Sequence, residues 1–395
     1  MPLGLYISVP FCKTKCSYCN FASDVFSRAV FKRYVDRLCS DIERANETAS
    51  QMNGHFERSV DSIYLGGGTP TLLEIPQLER IFVTISQIVE TSSAAEITVE
   101  CAPGTLTAAM LEAFQRAGVN RVSLGVQSFV DKEASSVGRL HTRKVVEDDI
   151  SRLRHAGISD INVDLIAGLP HQTTESWETS VHALIATGVP HASVYMLEID
   201  EDSRLGSELI AGGTKYHAHF APNEDLVADF YESACEQLRA AGILQYEISN
   251  FAREDRQSRH NLKYWTRRPY MGFGVDAHSM LRSASREGES VRFSNPDSLE
   301  RYVAGDAPNR TIVDAHSALE EEFFLGLRLN RGINLRELTL DHGAAAAARN
   351  NCVIAELIKE NLLTRDGDLV RLTARGRLLS NEVFERFLSK PEEVS

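Results

Sequence analysis

The sequence predicts an α/β fold: strand–helix units on a parallel sheet, followed by a smaller, mainly α C-terminal domain. Two observations carry the first part. Short apolar runs alternate with amphipathic stretches from Gly4 to beyond Leu238, and six such units fit. Four joints also repeat one pattern, Ala117-Gly118-Val119, Ala156-Gly157-Ile158, Thr187-Gly188-Val189 and Ala241-Gly242-Ile243. A glycine just past a helix end takes the left-handed conformation, and the β-branched residue after it opens a strand. Short joints between strand and helix imply right-handed crossovers. A partial (β/α)6 barrel and a doubly wound open sheet both satisfy this periodicity.

In chain order, Gly4–Val9 is the first strand, and Phe31, Tyr34, Val35, Leu38 and Ile42 mark one helix face. Residues 46–59 read as a loop. Ser62–Leu65 is a strand running into Gly66-Gly67-Gly68-Thr69-Pro70-Thr71, and a helix follows Pro76. Further strands fall at Ile97–Glu100, Val122–Val126, Ile161–Ile166 and Ser193–Leu197, each followed by a helical pattern. Beyond residue 282 the character changes: Arg282–Pro296 is polar, Glu320–Leu329 is an apolar–acidic helix, and Asn334-Leu335 begins another element. Two short strands then precede a helix near Gly376–Asn381, the order of a winged-helix-like domain. The expected division is 1–245 barrel, 246–300 linking region, 301–389 C-terminal domain and 390–395 polar tail, the last expected to be disordered.

The chain has 395 residues, 43 % hydrophobic and 25 % charged, enough for a large core and two domains. No apolar run reaches the ~18 residues of a membrane span. The first strand starts within five residues of Met1 and leaves no room for a targeting peptide, so a cytoplasmic, reducing location is expected. A net charge of −13 argues against nucleic acid as the main partner.

Cys12, Cys16 and Cys19 stand in a C-x3-C-x2-C spacing with no fourth cysteine nearby. A [4Fe–4S] cube normally takes four thiolates. Three on one short loop leave one iron open, which is where a substrate or cofactor binds. A structural zinc site needs a closed tetrahedral set, and the nearest histidine is the distant His55. A disulfide framework wants an even count in a secreted chain, whereas this one has seven cysteines. Lys13, Thr14, Lys15 and Ser17 suit an exposed loop. Cys39, Cys101, Cys235 and Cys352 are expected to pack as small hydrophobes.

Reactive groups of such barrels gather at the C-terminal ends of strands. The cysteine loop and the triple glycine follow the first and second strands, so both belong at one mouth. Glu100, Gln127 and Asp164 lie at or near the ends of the third, fourth and fifth strands, as a polar ligand held across the mouth requires; strand ends are also simply wet. The glycine run lacks phosphate-loop spacing and more plausibly lets backbone approach a ligand closely.

The cysteine spacing after a first strand resembles the radical-SAM superfamily, in which the open iron chelates S-adenosylmethionine (SAM). That resemblance implies the partial barrel rather than the open sheet. Tyr6-Ile7-Ser8-Val9-Pro10-Phe11-Cys12, G-G-G-T-P-T at Gly66–Thr71, G-V-Q-S-F at Gly125–Phe129 and D-L-I-A-G-L-P at Asp164–Pro170 resemble its coproporphyrinogen oxidase-like branch. By that resemblance Cys12, Cys16 and Cys19 hold the cluster. The SAM contacts it implies are Tyr6, Tyr18, Gly67, Gly68, Thr69, Glu100, Gln127, Arg139 and Asp164, with Glu198 on a looser match.

Two groups share these motifs. Oxygen-independent coproporphyrinogen III oxidases carry a further cysteine two residues after the third ligand, and an N-terminal extension; this chain has Phe21 there and no extension. Tyr246–Ala252, the R-H-N-L-K-Y-W stretch at Arg259–Trp265 and G-F-G-V-D-A-H-S at Gly272–Ser279 resemble haem chaperones of the HemW type. The chaperone reading is the expectation and the oxidase is its alternative. Haem and haem-requiring client proteins are the implied partners, with room for an electron donor and for peripheral membrane association through clients. His260 is the expected axial ligand, Tyr264 and Trp265 the packing surfaces, and Arg259, Lys263, Arg267 and Arg268 the propionate partners. The plainer alternative is a surface loop whose histidine bonds locally.

Overall fold

The computed structural model describes residues 1–201, 203–286, 288–344 and 348–389; the expected tail at 390–395 lies outside them. Alternating units form β1 (Leu3–Val9), α1 (Ala29–Glu43), α2 (Ala45–Gln51), β2 (Ser59–Gly67), α3 (Ile75–Ile88), β3 (Glu90–Cys101), α4 (Ala108–Ala117) and β4 (Arg121–Gln127). They continue through α5 (Asp131–Ser136), α6 (Arg143–His155), β5 (Asp160–Ala167), α7 (Thr174–Thr187), β6 (His191–Met196), α8 (Arg204–Ala211) and α9 (Glu224–Ala240). β1 to β6 pair in sequence order, all parallel. Gly118, Gly157, Gly188 and Gly242 sit at φ between 66° and 84°, the left-handed joints the repeated motif demands.

Along each strand the side chains alternate in chemistry as they alternate between faces. Ile63, Leu65, Val99, Val122, Leu124, Ile161, Val163, Ala192 and Val194 pack under the helices as one core. Their neighbours Tyr64, Thr98, Glu100, Ser123, Asn162, Asp164, Ser193 and Tyr195 line a shared internal cavity of about 50 Å³. Period two thus separates an apolar layer from a polar barrel interior. Asn162 ties that interior together, its amide donating to Ser123 Oγ at 2.7 Å, Asp164 Oδ1 at 2.7 Å and Ser193 Oγ at 3.1 Å.

Residues 246–300, expected as a linking region, complete the sheet instead. β8 (Asn250–Ala252) adds antiparallel to β6, and β7 (Leu244–Gln245) pairs antiparallel with β8 at the edge; β9 (Tyr270–Gly274) lies parallel to β1, and β10 (His278–Arg282), β11 (Ser290–Ser294) and β12 (Asn309–Val313) extend that side. The order is β12-β11-β10-β9-β1-β2-β3-β4-β5-β6-β8-β7. The polar run Arg282–Pro296, read from sequence as a loop or short strand, contains the strand β11. α10 (Arg259–Trp265) closes the N-terminal end of the barrel. Glu96 of β3 accepts from the Arg259 and His260 amides at 2.9 and 3.0 Å, and Lys263 reaches Asp61 at 2.6 Å.

Residues 46–59 also differ from expectation. α2 runs from Ala45 into this range as far as Gln51, burying only Ala45 and Ala49 one turn apart, too small a face to stand out in a polar sequence. α11 (Leu299–Ala304) follows β11, and β12 still belongs to the barrel sheet. The C-terminal domain comprises α12 (Ala315–Arg328), β13 (Ile333–Asn334), α13 (Leu335–His342), the helix Asn351–Lys359, and strands β14 (Leu363–Asp366) and β15 (Leu369–Leu372). Its three strands form a separate antiparallel sheet, and Phe323, Leu327, Ile354, Leu357 and Val370 build its own core. Helices at Ala374–Leu378 and Ser380–Glu385 follow these strands, which is the strand–strand–helix order read from the sequence. Cys39 and Cys101 are buried as expected, but Cys352 is exposed and donates to Glu356 Oε1 at 3.4 Å.

Candidate functional site

A cleft of about 450 Å³ opens at the C-terminal ends of β1 to β6. The cysteine loop forms one wall. Phe11 anchors its start, fully buried and stacked on Phe31 with centroids 3.7 Å apart. The loop closes where Cys12 N donates to Asp24 O at 2.9 Å and Asp24 N to Pro10 O at 3.0 Å. Lys15, expected on an exposed face, instead staples the loop: its ammonium donates to Phe21 O at 2.7 Å and Ser23 O at 2.6 Å. Ser17 is buried as well, and Lys13 is the exposed one. Cys12, Cys16 and Cys19 are free and all border the cleft. Cys101 borders it too, but it is 3 % exposed and its thiol faces Val99 O at 3.8 Å.

The glycine run forms the adjoining wall. Gly68 N donates to Val9 O and Thr69 N to Phe11 O, both at 2.7 Å, which ties this turn to the base of the cysteine loop. A Cβ on Gly68 would fall 2.6 Å from Phe11 O and 2.9 Å from Val9 O, so only glycine fits.

Carboxylates lie on the floor. Glu100 accepts from Tyr64 Oη at 2.8 Å and from Gly67 N at 3.1 Å. Burial, with Asp164 nearby, pushes its acid up to about 7. Asp164 is also raised by burial, against hydrogen bonds from Ser193, Asn162 and Ser123 that favour its charged form. Arg139 spans the far side, one Nη on Cys16 Sγ at 3.5 Å and the other on Gly125 O. Gln127 stands at φ 70°, where the β4–β5 register shifts, and its Oε1 is buried without a partner; so is Arg139 Nε. His141 is neutral near pH 7, because burial and Arg139 push it down to about 4.

The Radical SAM superfamily pattern matches residues 6–184, and the HemN C-terminal domain pattern matches 313–379. The chain is 32 % identical to a protein named Heme chaperone HemW from Lactococcus lactis, over 98 % of this chain and 97 % of that one. It is 34 % identical to the Bacillus subtilis protein of the same name, over 98 % and 99 %. The chain belongs to the HemW family of radical SAM proteins. In fold it is similar to the coproporphyrinogen III oxidase HemN of Escherichia coli, with a TM-score of 0.82, 23 % identity, and 98 % of this chain and 90 % of that one covered.

Membership in a radical SAM family implies a [4Fe–4S] cluster and SAM, and the cleft suits both. Three unpaired thiols share one stapled loop, the floor carries two carboxylates, and the walls leave a buried amide oxygen and a guanidinium nitrogen without partners. Such orphaned polar atoms in a cleft of this size call for a polar ligand. Of the residues the resemblance singled out, Tyr18, Gly67, Gly68, Thr69, Glu100, Gln127, Arg139 and Asp164 line this cleft with the cysteines. Tyr6 lies in an adjoining cavity, and Glu198 is exposed and not part of this cleft's lining. Sequence reasoning missed Ser123, Tyr195 and His141. The first two sit on the inward face of their strands, and period two from Gly125 and from Ser193 finds them.

The Arg259–Trp265 stretch is a helix that turns His260 and Lys263 into the barrel and leaves Arg259 exposed. His260 is 1 % exposed, with Nδ1 bonded to Ser62 Oγ at 3.0 Å and Nε2 to Tyr264 Oη at 2.8 Å. Burial, then Lys263, pushes it down to about 3. Neither nitrogen is open to iron, so the expected axial role is corrected here: His260 is a hydrogen-bonded barrel plug. Trp265 lies under the Arg328 guanidinium, 4.2 Å from its ring centre. Arg267 is engaged by Glu321 and Glu322 and Lys263 by Asp61, while Arg259 and Arg268 stay exposed. Among the described residues no helix is long and apolar enough to cross a membrane.

Proposed function

We propose that this protein binds haem and hands it to haem-requiring proteins, with the SAM-bearing cluster controlling the hand-over rather than decarboxylating a porphyrinogen. The observation that carries this is the end-to-end similarity to proteins named heme chaperone, 98 % of this chain against 99 % of the Bacillus subtilis one. Phe21 supports it. The residue two positions beyond Cys19 is an apolar ring, 63 % exposed on the cleft wall, rather than the further thiol of the oxidases.

In this reading Cys12, Cys16 and Cys19 would hold the cluster, which together with SAM would supply radical chemistry. The chain's own groups orient the ligand. Tyr18, Gly67, Gly68 and Thr69 shape its bed, Glu100 and Asp164 meet its cationic and hydroxyl groups, and Gln127 and Arg139 complete the polar wall. Its working place is a reducing cytoplasm, its partners haem and client proteins, and its acidic surface turns away nucleic acid.

The test is direct. The anaerobically reconstituted protein is titrated with hemin, then assayed with coproporphyrinogen III, SAM and a reductant. Saturable binding at micromolar hemin with no protoporphyrinogen formed is the expected result. Robust protoporphyrinogen formation reverses the reading.

A further inference from the structure

We infer that the cavity between the cysteine loop and the β9–β10 turn is the haem-docking subsite, with His278 ligating the iron and Asp276 orienting the imidazole. This rests on the haem-binding reading and adds residues to it. The cavity, about 270 Å³, is walled by Tyr6, Phe21, Tyr264, Tyr270, Val275 and His278, and it shares Phe21, Ser23 and Gly67 with the cofactor cleft. Three tyrosine rings and one phenylalanine make a wall suited to a flat apolar macrocycle. Phe21, 63 % exposed, presents its apolar ring on the wall that the two cavities share.

His278 has the chemistry that His260 lacks. Its side chain is 65 % exposed and makes no hydrogen bond among the described residues, so a nitrogen lone pair is available. Nε2 stands 3.7 Å from Asp276 Oδ1. An iron-binding imidazole donates its other N–H to a carboxylate or carbonyl, which fixes the ring and raises its basicity. The pair supplies both parts. Which ring nitrogen faces the carboxylate interchanges by a ring flip. The turn that carries them is held firmly: Asp276 N donates to Pro296 O at 2.9 Å, Asn295 Nδ2 to Gly274 O at 2.9 Å, and Gly274 leaves no room for a side chain against Ser8 O and Tyr34 Oη. By contrast His191 and His260 are buried with both nitrogens engaged, and His141 is buried against Val126 O.

Size agrees with a carrier. A cavity below the ~300 Å³ usual for enclosing a small ligand takes one edge of a porphyrin and leaves the remainder outside, where a recipient can reach it. The shared wall also places the cargo against the cysteine loop, so the state of the cluster acts on Phe21 and Ser23 directly.

The experiment titrates hemin into the full-length, cluster-reconstituted protein and follows the Soret band against a hemin-free blank. Iron content and SAM binding serve as the check that each variant is intact. His278→Ala is expected to shift the band and weaken binding about tenfold or more, since an axial bond is worth more than that factor. In His278→Gly, added imidazole restores the wild-type band, which loss of folding does not mimic. Phe21→Ala weakens binding and leaves the band where it is. A His278→Ala protein with wild-type band and affinity overturns the subsite and leaves the haem reading standing. Wild-type protein without saturable hemin binding overturns the haem reading itself.

Discussion

Tyr64 stacks on the imidazole of His260 at 5.3 Å while its hydroxyl donates to Glu100 at 2.8 Å, so the plug at one end of the barrel touches the carboxylate at the other. The sequence separates these three by scores of residues; inward-facing positions of neighbouring strands bring them into one column. Glu100 is therefore held by a neutral donor and a backbone amide, with no ion pair among the described residues, and burial raises it to about 7.

A pH dependence follows. A carboxyl raised from 4.5 to about 7 binds its proton more tightly folded than unfolded. The stability it adds is full below 4.5 and is lost as pH rises through 7. Thermal melts of the ligand-free protein should fall in midpoint between pH 5.5 and 8 by more than those of Glu100→Gln. A cationic ligand prefers the ionised acid, so SAM affinity should rise over about pH 6 to 8 in the wild type and stay flat in Glu100→Gln. Parallel slopes for the two proteins would reject this.

Removing His260 is a matter of stability. His260→Ala strands Ser62 and Tyr264 in a closed interior and leaves a void. An unpaired buried group costs about 1–3 kcal/mol and the void adds to it, so a loss of roughly 3 kcal/mol is expected in urea denaturation. The Soret band of bound haem should keep its position. A shifted band with unchanged stability would return the iron to His260.

Gly68 and Gly157 form a matched pair. A methyl on Gly68 meets two backbone carbonyls that cannot yield without moving the cysteine loop, whereas Gly157 has open space and only its φ of 84° to object. Gly68→Ala should lose most cluster iron and SAM binding. Gly157→Ala should cost about 1–2 kcal/mol, the penalty for a left-handed side chain, and keep its iron. Equal iron content in both would mean that the turn is not coupled to the loop.

The cluster itself is tested by its ligands. Reconstitution should give about four irons and a broad visible absorption, both lost in the triple Ala variant of Cys12, Cys16 and Cys19. Cys352→Ala, exposed in the other domain, should change nothing. Zinc taken up in place of iron would contradict the assignment.

What was legible in the sequence divides along physical lines. Glycine joints and apolar periodicity report local conformation, and Gly118, Gly157, Gly188 and Gly242 all stand where they said. The cysteine loop and glycine turn were readable because both follow strands. The fate of Arg259–Trp265 was not. A histidine among aromatics and cations looks the same whether it faces water or fills a barrel, and what decides is the long-range contacts with Ser62, Asp61 and Glu96. For the same reason β9 could not be placed, since its partner β1 lies some 265 residues earlier in the chain.

Arg267 provides the last prediction. Expected as a propionate partner, it fastens the C-terminal domain to the barrel. Its Nε meets Glu321 at 2.8 Å, one Nη meets Glu322 at 3.2 Å, the other donates to Ser290 Oγ at 3.1 Å, and Arg292 shares Glu321 at 2.8 Å. The Arg267 and Glu321 side chains are 11 % and 12 % exposed, so removing the arginine leaves acids poorly solvated on α12. Breaking a buried pair costs about 3–5 kcal/mol; Arg292 keeps hold of Glu321, which points to the lower figure. That loss falls on the contact between the domains, because each has its own core. Of the chain's two tryptophans, Trp177 is buried in the barrel, whereas Trp265 lies two residues from Arg267 and beneath Arg328 of α12. In Arg267→Ala the C-terminal domain should therefore unfold at lower urea than the barrel, giving two transitions in place of one. Trp265 fluorescence, isolated in a Trp177→Phe background, should report the first of them. Arg267→Lys keeps a charge without the fork and should lie between. A single transition at the wild-type midpoint would show that the domains are held by packing alone.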